Sequence, residues 1–121
     1  MTVGSPNLSR ASKNYLALCV GVGGAKLALG LGKVLSEGKL TIAVNTGDDF
    51  EHLGLKICPD IDTVLYMLAG CVSRERGWGR EDESWVAHET LAALGGPSWF
   101  QLGDRDIALH LARNALLAEG K

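Results

Sequence analysis

Long apolar runs are missing from this sequence. The longest, Tyr15 to Ala25, is bracketed by Lys13 and Lys26 and interrupted by Gly21, Gly23 and Gly24, far short of the roughly 20 residues a membrane-spanning helix needs. Charge of one sign is equally scarce. Twelve Lys plus Arg against 14 Asp plus Glu leave a net charge of -2, and without a broad basic field the chain has no grip on a phosphate backbone. Neither a nucleic-acid nor a membrane partner is expected. Cysteine is limited to Cys19, Cys58 and Cys71, an odd number at wide spacings that is neither a disulfide framework nor a zinc pattern, so free thiols in a reducing cytoplasm are expected. The polar opening segment, Met1 to Lys13, has no apolar core resembling a secretion signal and reads as a flexible tail.

What remains is 121 residues, 46% hydrophobic and 21% charged, the composition of a globular domain with a modest core. Residues 14–121 read as one such domain or a part of one. Tyr15 to Val20 is a short apolar run that stops at Gly21-Val-Gly-Gly24, as a buried strand does at a tight turn. From Ala25, Leu27, Leu31, Val34 and Leu35 recur at helical spacing, and Gly38 is placed to cap that helix. Leu40 to Val44 is β-branched and closes on Asn45-Thr-Gly-Asp-Asp49, which makes a second strand ending in a loop. Strand, helix and strand form a βαβ unit with parallel strands.

Phe50 to Cys58 is mixed in character. Pro59 and Asp60 open an apolar stretch, Ile61 to Ala69, which suits a helix with Pro and acidic groups at its start. Ser73 to Arg80 reads as a charged loop, Glu83 to Leu94 as a helix stopped by Gly95-Gly-Pro97, and Trp99 to Leu102 as a brief strand. Gly103-Asp-Arg-Asp106 reads as a turn before a last helix, Ile107 to Leu117.

Three constellations could carry chemistry. Gly21, Gly23, Gly24 and Lys26 stand between a strand and a helix, where unhindered N–H groups can approach a phosphate. Lys26 stands where the dinucleotide pattern needs glycine, and Ala25 and Leu27 beside it break the P-loop pattern; a glycine turn that only permits close helix–strand packing stays open as the alternative. Asp48 and Asp49 follow the second strand, and Asp60 and Asp62 lie at the next helix start. Carboxylates at the carboxyl end of parallel strands, beside a phosphate-cradling turn, suit magnesium-assisted phosphoryl chemistry; capping and loop solvation are the alternative. Arg105, between Asp104 and Asp106, could fork onto a phosphate or clamp the two aspartates. His52, His88 and His110 share no metal-ligand spacing. Trp78, Trp85 and Trp99 read as packing anchors, with Trp78 also placed to cover a flat ring.

Taken together, Gly21-Val-Gly-Gly-Ala-Lys-Leu27, Val44-Asn-Thr-Gly-Asp-Asp-Phe50, Cys58-Pro-Asp-Ile-Asp-Thr-Val-Leu-Tyr66, Arg76-Gly-Trp-Gly79 and Leu102-Gly-Asp-Arg-Asp106 resemble the 2-phospho-L-lactate transferase family of coenzyme F(420) biosynthesis. The resemblance runs from about Tyr15 to the end of the chain. It implies a Rossmann-like three-layer α/β fold with a mainly parallel sheet, here its N-terminal portion, and a homodimer. The implied reaction moves a phospholactyl or phosphoenolpyruvyl group from a guanosine diphospho-linked donor to FO (7,8-didemethyl-8-hydroxy-5-deazariboflavin). GMP is released and magnesium is required. Carried over by motif, Gly21, Gly23, Gly24 and Lys26 would hold the donor phosphates. Asp49 and Asp62 would be catalytic, Asp48, Asp49, Asp60 and Asp62 would be candidates for the metal, and Asp62, Asp104 and Arg105 would face the acceptor. The family's further glycine is replaced here by Val20. A noncatalytic nucleotide-binding regulator of the gluconeogenesis-factor type, or an inactive fragment, is the competing expectation.

Overall fold

A computed structural model describes residues 13–121; the tail expected over Met1 to Lys13 lies, but for its last residue, outside the described residues. The elements in order are β1 (Tyr15–Cys19), α1 (Gly21–Val34), β2 (Leu40–Val44), β3 (Phe50–His52), β4 (Leu55–Ile57), α2 (Pro59–Leu68), α3 (Val86–Ala93) and α4 (Asp104–Ala118). Strands and helices alternate around a short parallel sheet, the α/β class read from the sequence. Contacts gather into two compact units, one ending at Asp48 and resuming over Pro59–Cys71, the other formed by Asp49–Cys58 and Val72–Lys121.

In the first unit β1 and β2 pair in parallel, from Tyr15 opposite Leu40 to Cys19 opposite Val44. Alternation puts Ala17 and Cys19 inside, whereas Leu16 and Leu18 are 64% and 74% exposed on the other face. Helix α1 buries Ala25 and Ala28. These small residues let it lie close to the sheet, and Gly24 carries the principle furthest: a Cβ there would fall 2.9 Å from the Cys19 Cα. The helix starts four residues before the expected Ala25, so the glycine turn is its own first turn. Gly21 enters it with φ +61°, a conformation that costs glycine little. It also ends early, with the Leu35 N–H on the Leu31 carbonyl, so Gly38 sits in the following turn (φ +75°) and caps nothing. Helix α2 opens at Pro59, needs no N–H there, and closes at Gly70 (φ +70°), where the Cys71 N–H returns to the Tyr66 carbonyl.

In the second unit the mixed Phe50 to Cys58 segment is a hairpin, with Phe50 opposite Ile57 and His52 opposite Leu55 in an antiparallel ladder. Leu53 and Gly54 turn it with φ of 54° and 73°, the left-handed pair that matches strand twist. Helix α4 covers the hairpin's free edge. Asn114 accepts the Lys56 N–H and donates to the Gly54 carbonyl, and Arg113 donates to the Lys56 carbonyl, satisfying groups that an open edge leaves bare. The strand expected at Trp99 to Leu102 is absent. Trp99 and Phe100 instead stack with Phe50 and His52, at centroid separations of 5.2 to 5.9 Å.

Candidate functional site

The first unit brings the glycine turn, the loop after β2 and the start of α2 together through one carboxylate. Asp60, 7% exposed, accepts the Gly21 N–H at 2.7 Å on Oδ1 and an Asn45 amide N–H at 2.8 Å on Oδ2. Asn45 in turn accepts the Gly47 N–H and donates to Asp48 Oδ2, both at 3.1 Å. Its side chain therefore builds the loop from inside, as an Asx turn does.

At the head of α1, Val20 is extended (φ −133°, ψ 131°) and offers no side-chain cap. Its own side chain is 62% exposed. The Gly24 N–H returns to the Val20 carbonyl and that of Gly21 is held by Asp60. Val22 and Gly23 carry the first-turn donors that no helical carbonyl can reach. Around Gly21 and Gly23 no atom beyond the neighbouring residues and the helix's own backbone lies within 4 Å of where a Cβ would be. These glycines keep the helix end open, while Gly24 serves packing. Lys26 is exposed, as is Asp48, whereas Asp62 is buried at 6% exposure.

In the second unit the Gly103-Asp-Arg-Asp106 block is the N-terminus of α4. Asp104 accepts the Ser84 hydroxyl at 2.7 Å and the Val86 and Ala87 N–H groups at 3.1 and 2.9 Å, so it caps α3. The Ser84 hydroxyl first, and then the Ala87 N–H, hold its carboxyl below the usual carboxylate range. Glu83 caps α4 in return, accepting the Arg105 N–H at 2.8 Å and the Asp106 N–H at 3.2 Å. The Arg105 guanidinium donates to the Asp82 carbonyl. Asp49 has a buried Oδ1 with no hydrogen-bond partner among the described residues. Arg76 lies 5.2 and 5.3 Å from the Trp78 and Trp85 ring centroids, which gives two of the three tryptophans a cationic neighbour. All three cysteines are free thiols.

The family model described as 2-phospho-L-lactate transferase CofD matches residues 16–121. The chain belongs to that family. A phosphoenolpyruvate transferase of Streptomyces griseus is 48% identical over 106 residues, covering 87% of this chain and 33% of the relative. The protein of the same name from Mycobacterium ulcerans is 49% identical over 112 residues (83% and 34%), and that of Thermobifida fusca 46% over 114 (87% and 35%). The chain thus spans about a third of the length of these curated relatives.

Within this transferase family member, the residues can be tested against the magnesium that the resemblance implies. Carboxylate oxygens are the hard donors magnesium takes. In the first unit the exposed Asp48 carboxylate fits such a role. Asp60 does not share that freedom, because each of its oxygens already receives an N–H. Among the described residues no helix is long and apolar enough to cross a membrane. Two residues that organise these sites, Asn45 and Glu83, were not singled out from the sequence. Asn45 carried a signal in the Asn-Thr-Gly spelling of an Asx turn; Glu83 carried none, since its partners lie 22 and 23 residues away.

Proposed function

We propose that the chain supplies the donor-loading part of a cytoplasmic, homodimeric transferase of coenzyme F(420) biosynthesis. The donor is a guanosine diphospho-linked phosphoenolpyruvyl or phospholactyl group, and the acceptor is FO. A ribityl hydroxyl oxygen of FO attacks the phosphorus that carries the enolpyruvyl or lactyl group. The bond from that phosphorus to the bridging oxygen breaks, GMP leaves with the oxygen, and the hydroxyl proton is lost. The observation that carries this reading is the open N-terminus of α1 in a chain whose family match runs through every element.

The Val22 and Gly23 N–H groups, with the positive end of the helix, attract the donor diphosphate, and Lys26 adds a mobile positive charge. Gly21 and Gly23 let phosphate oxygens approach the backbone where a side chain would stand. Asp48 is the carboxylate of the first unit left open to hold magnesium, which would supply charge neutralisation on the transferring group when bound. Asp49, in the second unit, is positioned by sequence next to Asp48 and serves to orient the acceptor hydroxyl.

The test is calorimetric titration of the folded chain with GDP, with and without magnesium, followed by turnover with donor and FO. Magnesium-dependent GDP binding supports the donor site. A folded chain that takes no GDP at millimolar concentration overturns it.

A further inference from the structure

We propose that Asp60 and Asn45 form a brace that fixes the Gly21 turn to the Asn45–Asp48 loop, so that Asp60 is a positioning residue of the donor site and not a metal ligand. The proposal rests on the donor-site reading above only for its functional arm.

The hydrogen-bond inventory is closed. An asparagine amide has one acceptor oxygen and two N–H donors. In Asn45 the oxygen takes the Gly47 N–H, one donor goes to Asp48 and one to Asp60. The Gly47 bond therefore decides which way the amide faces, and its nitrogen must point at Asp60. Asp60 meets it with Oδ2 and uses Oδ1 for the Gly21 N–H. One buried carboxylate thereby joins residues 39 positions and 15 positions away in the chain, linking the start of α1 to the end of β2. Both donors point their positive ends at Asp60, and the positive end of α1 lies behind one of them. A cation placed on the same oxygens would face these dipoles, whereas Asp48 presents its carboxylate to solvent.

The geometry makes a reciprocal substitution informative. In Asp60→Asn either amide orientation loses a bond, because one of the two protein donors then meets an N–H. Asn45→Asp sets a carboxylate against Asp60. The double variant, Asn45→Asp with Asp60→Asn, restores the bonds at Gly21 and between positions 45 and 60, since the new carboxylate accepts from Gly47 and from the new amide, whose oxygen accepts from Gly21; only the bond to Asp48 is lost.

Two readouts separate the brace from the donor reading. The first needs no ligand. In the wild-type chain, NMR should detect a through-hydrogen-bond coupling between the Gly21 nitrogen and the Asp60 carboxyl carbon. Loss of one charge-assisted bond should speed Gly21 amide exchange about tenfold or more in Asp60→Asn, with recovery in the double variant. No coupling in the wild type, or equal exchange in all variants, overturns the brace even where a single variant fails to fold. The second readout is GDP affinity against magnesium concentration. Asp60→Asn should weaken GDP about tenfold without moving the magnesium midpoint, and the double variant should recover. A magnesium midpoint displaced by a similar factor and not recovered by the double variant would identify Asp60 as a ligand and sink the proposal. If the wild type takes no GDP, the donor reading and its functional arm fail, and the Gly21 readout alone decides the brace.

Discussion

Both units place carboxylates at helix N-termini, but they use them to opposite ends. In the second unit α3 and α4 cap one another. Asp104, from the first turn of α4, covers Val86 and Ala87, and Glu83, just before α3, covers Arg105 and Asp106. Each end has two first-turn N–H groups on a side-chain carboxylate. In the first unit α1 has a valine where a cap would stand and a carboxylate on Gly21 alone. A helix end attracts an anion only while its N–H groups are unspent. The Gly-Asp-Arg-Asp block is thus built as structure, and the glycine turn is built as an opening.

The largest effect should come from overfilling the close contact between Gly24 and the sheet. Gly24→Val would drive a side chain into the Cys19 backbone, 2.9 Å away from where the Cβ must go. Overpacking against an immovable neighbour costs about 1–3 kcal/mol. Urea denaturation should show it as a lower midpoint at unchanged slope. Gly103→Ala comes next. A Cβ there would lie 2.1 Å from Glu83 Cγ, so Glu83 must swing away and leave Arg105 and Asp106 uncapped, a loss of about 1–2 kcal/mol. Wild-type stability in this variant would mean that Glu83 caps nothing of consequence, and the contrast between the units would narrow.

Acid should reach the second unit through Asp104. Its folded pKa is lowered, by the Ser84 hydroxyl first and the Ala87 N–H next. The stabilisation is therefore complete above the unfolded value of about 3.9 and is lost as pH falls through the lower folded value. Thermal melts should fall in that window for the wild type and flatten for Asp104→Asn. Parallel acid limbs for the two proteins would show that the cap is energetically silent.

What the sequence made legible follows from locality. The Tyr15 to Val44 strand–helix–strand pattern and the Pro59 helix start are written in neighbouring residues, and the structure has them. The β3–β4 hairpin lacks the Asn-Gly or Asp-Gly pair that advertises such a turn, because Leu53 itself takes the left-handed conformation. Trp99 to Leu102 has the composition of a strand, but its aromatics find partners in Phe50 and His52 rather than in a ladder. At the candidate sites, residue types were readable and commitments were not. Nothing near Asp104 announces that its oxygens belong to Ser84, Val86 and Ala87. Nothing near Asp60 announces Gly21, and the division of labour between Gly23 and Gly24 is visible only once β1 lies beside α1.

That division gives the smallest and most discriminating prediction. At Gly23 a methyl group meets no atom within 4 Å beyond the neighbouring residues and the helix's own backbone, and alanine is favoured over glycine in a helix by about 0.8–1 kcal/mol in an interior position. Near the first turn the gain should be a few tenths of that, so Gly23→Ala should raise the urea midpoint slightly. The same methyl stands where a phosphate oxygen would approach the backbone, and GDP affinity should fall about tenfold if the open end of α1 is the donor site. A stabilised chain with weakened GDP binding separates opening from packing at adjacent glycines. Stabilised but equally tight binding would move the donor away from this helix end, and the unspent N–H groups would then be solvated rather than functional.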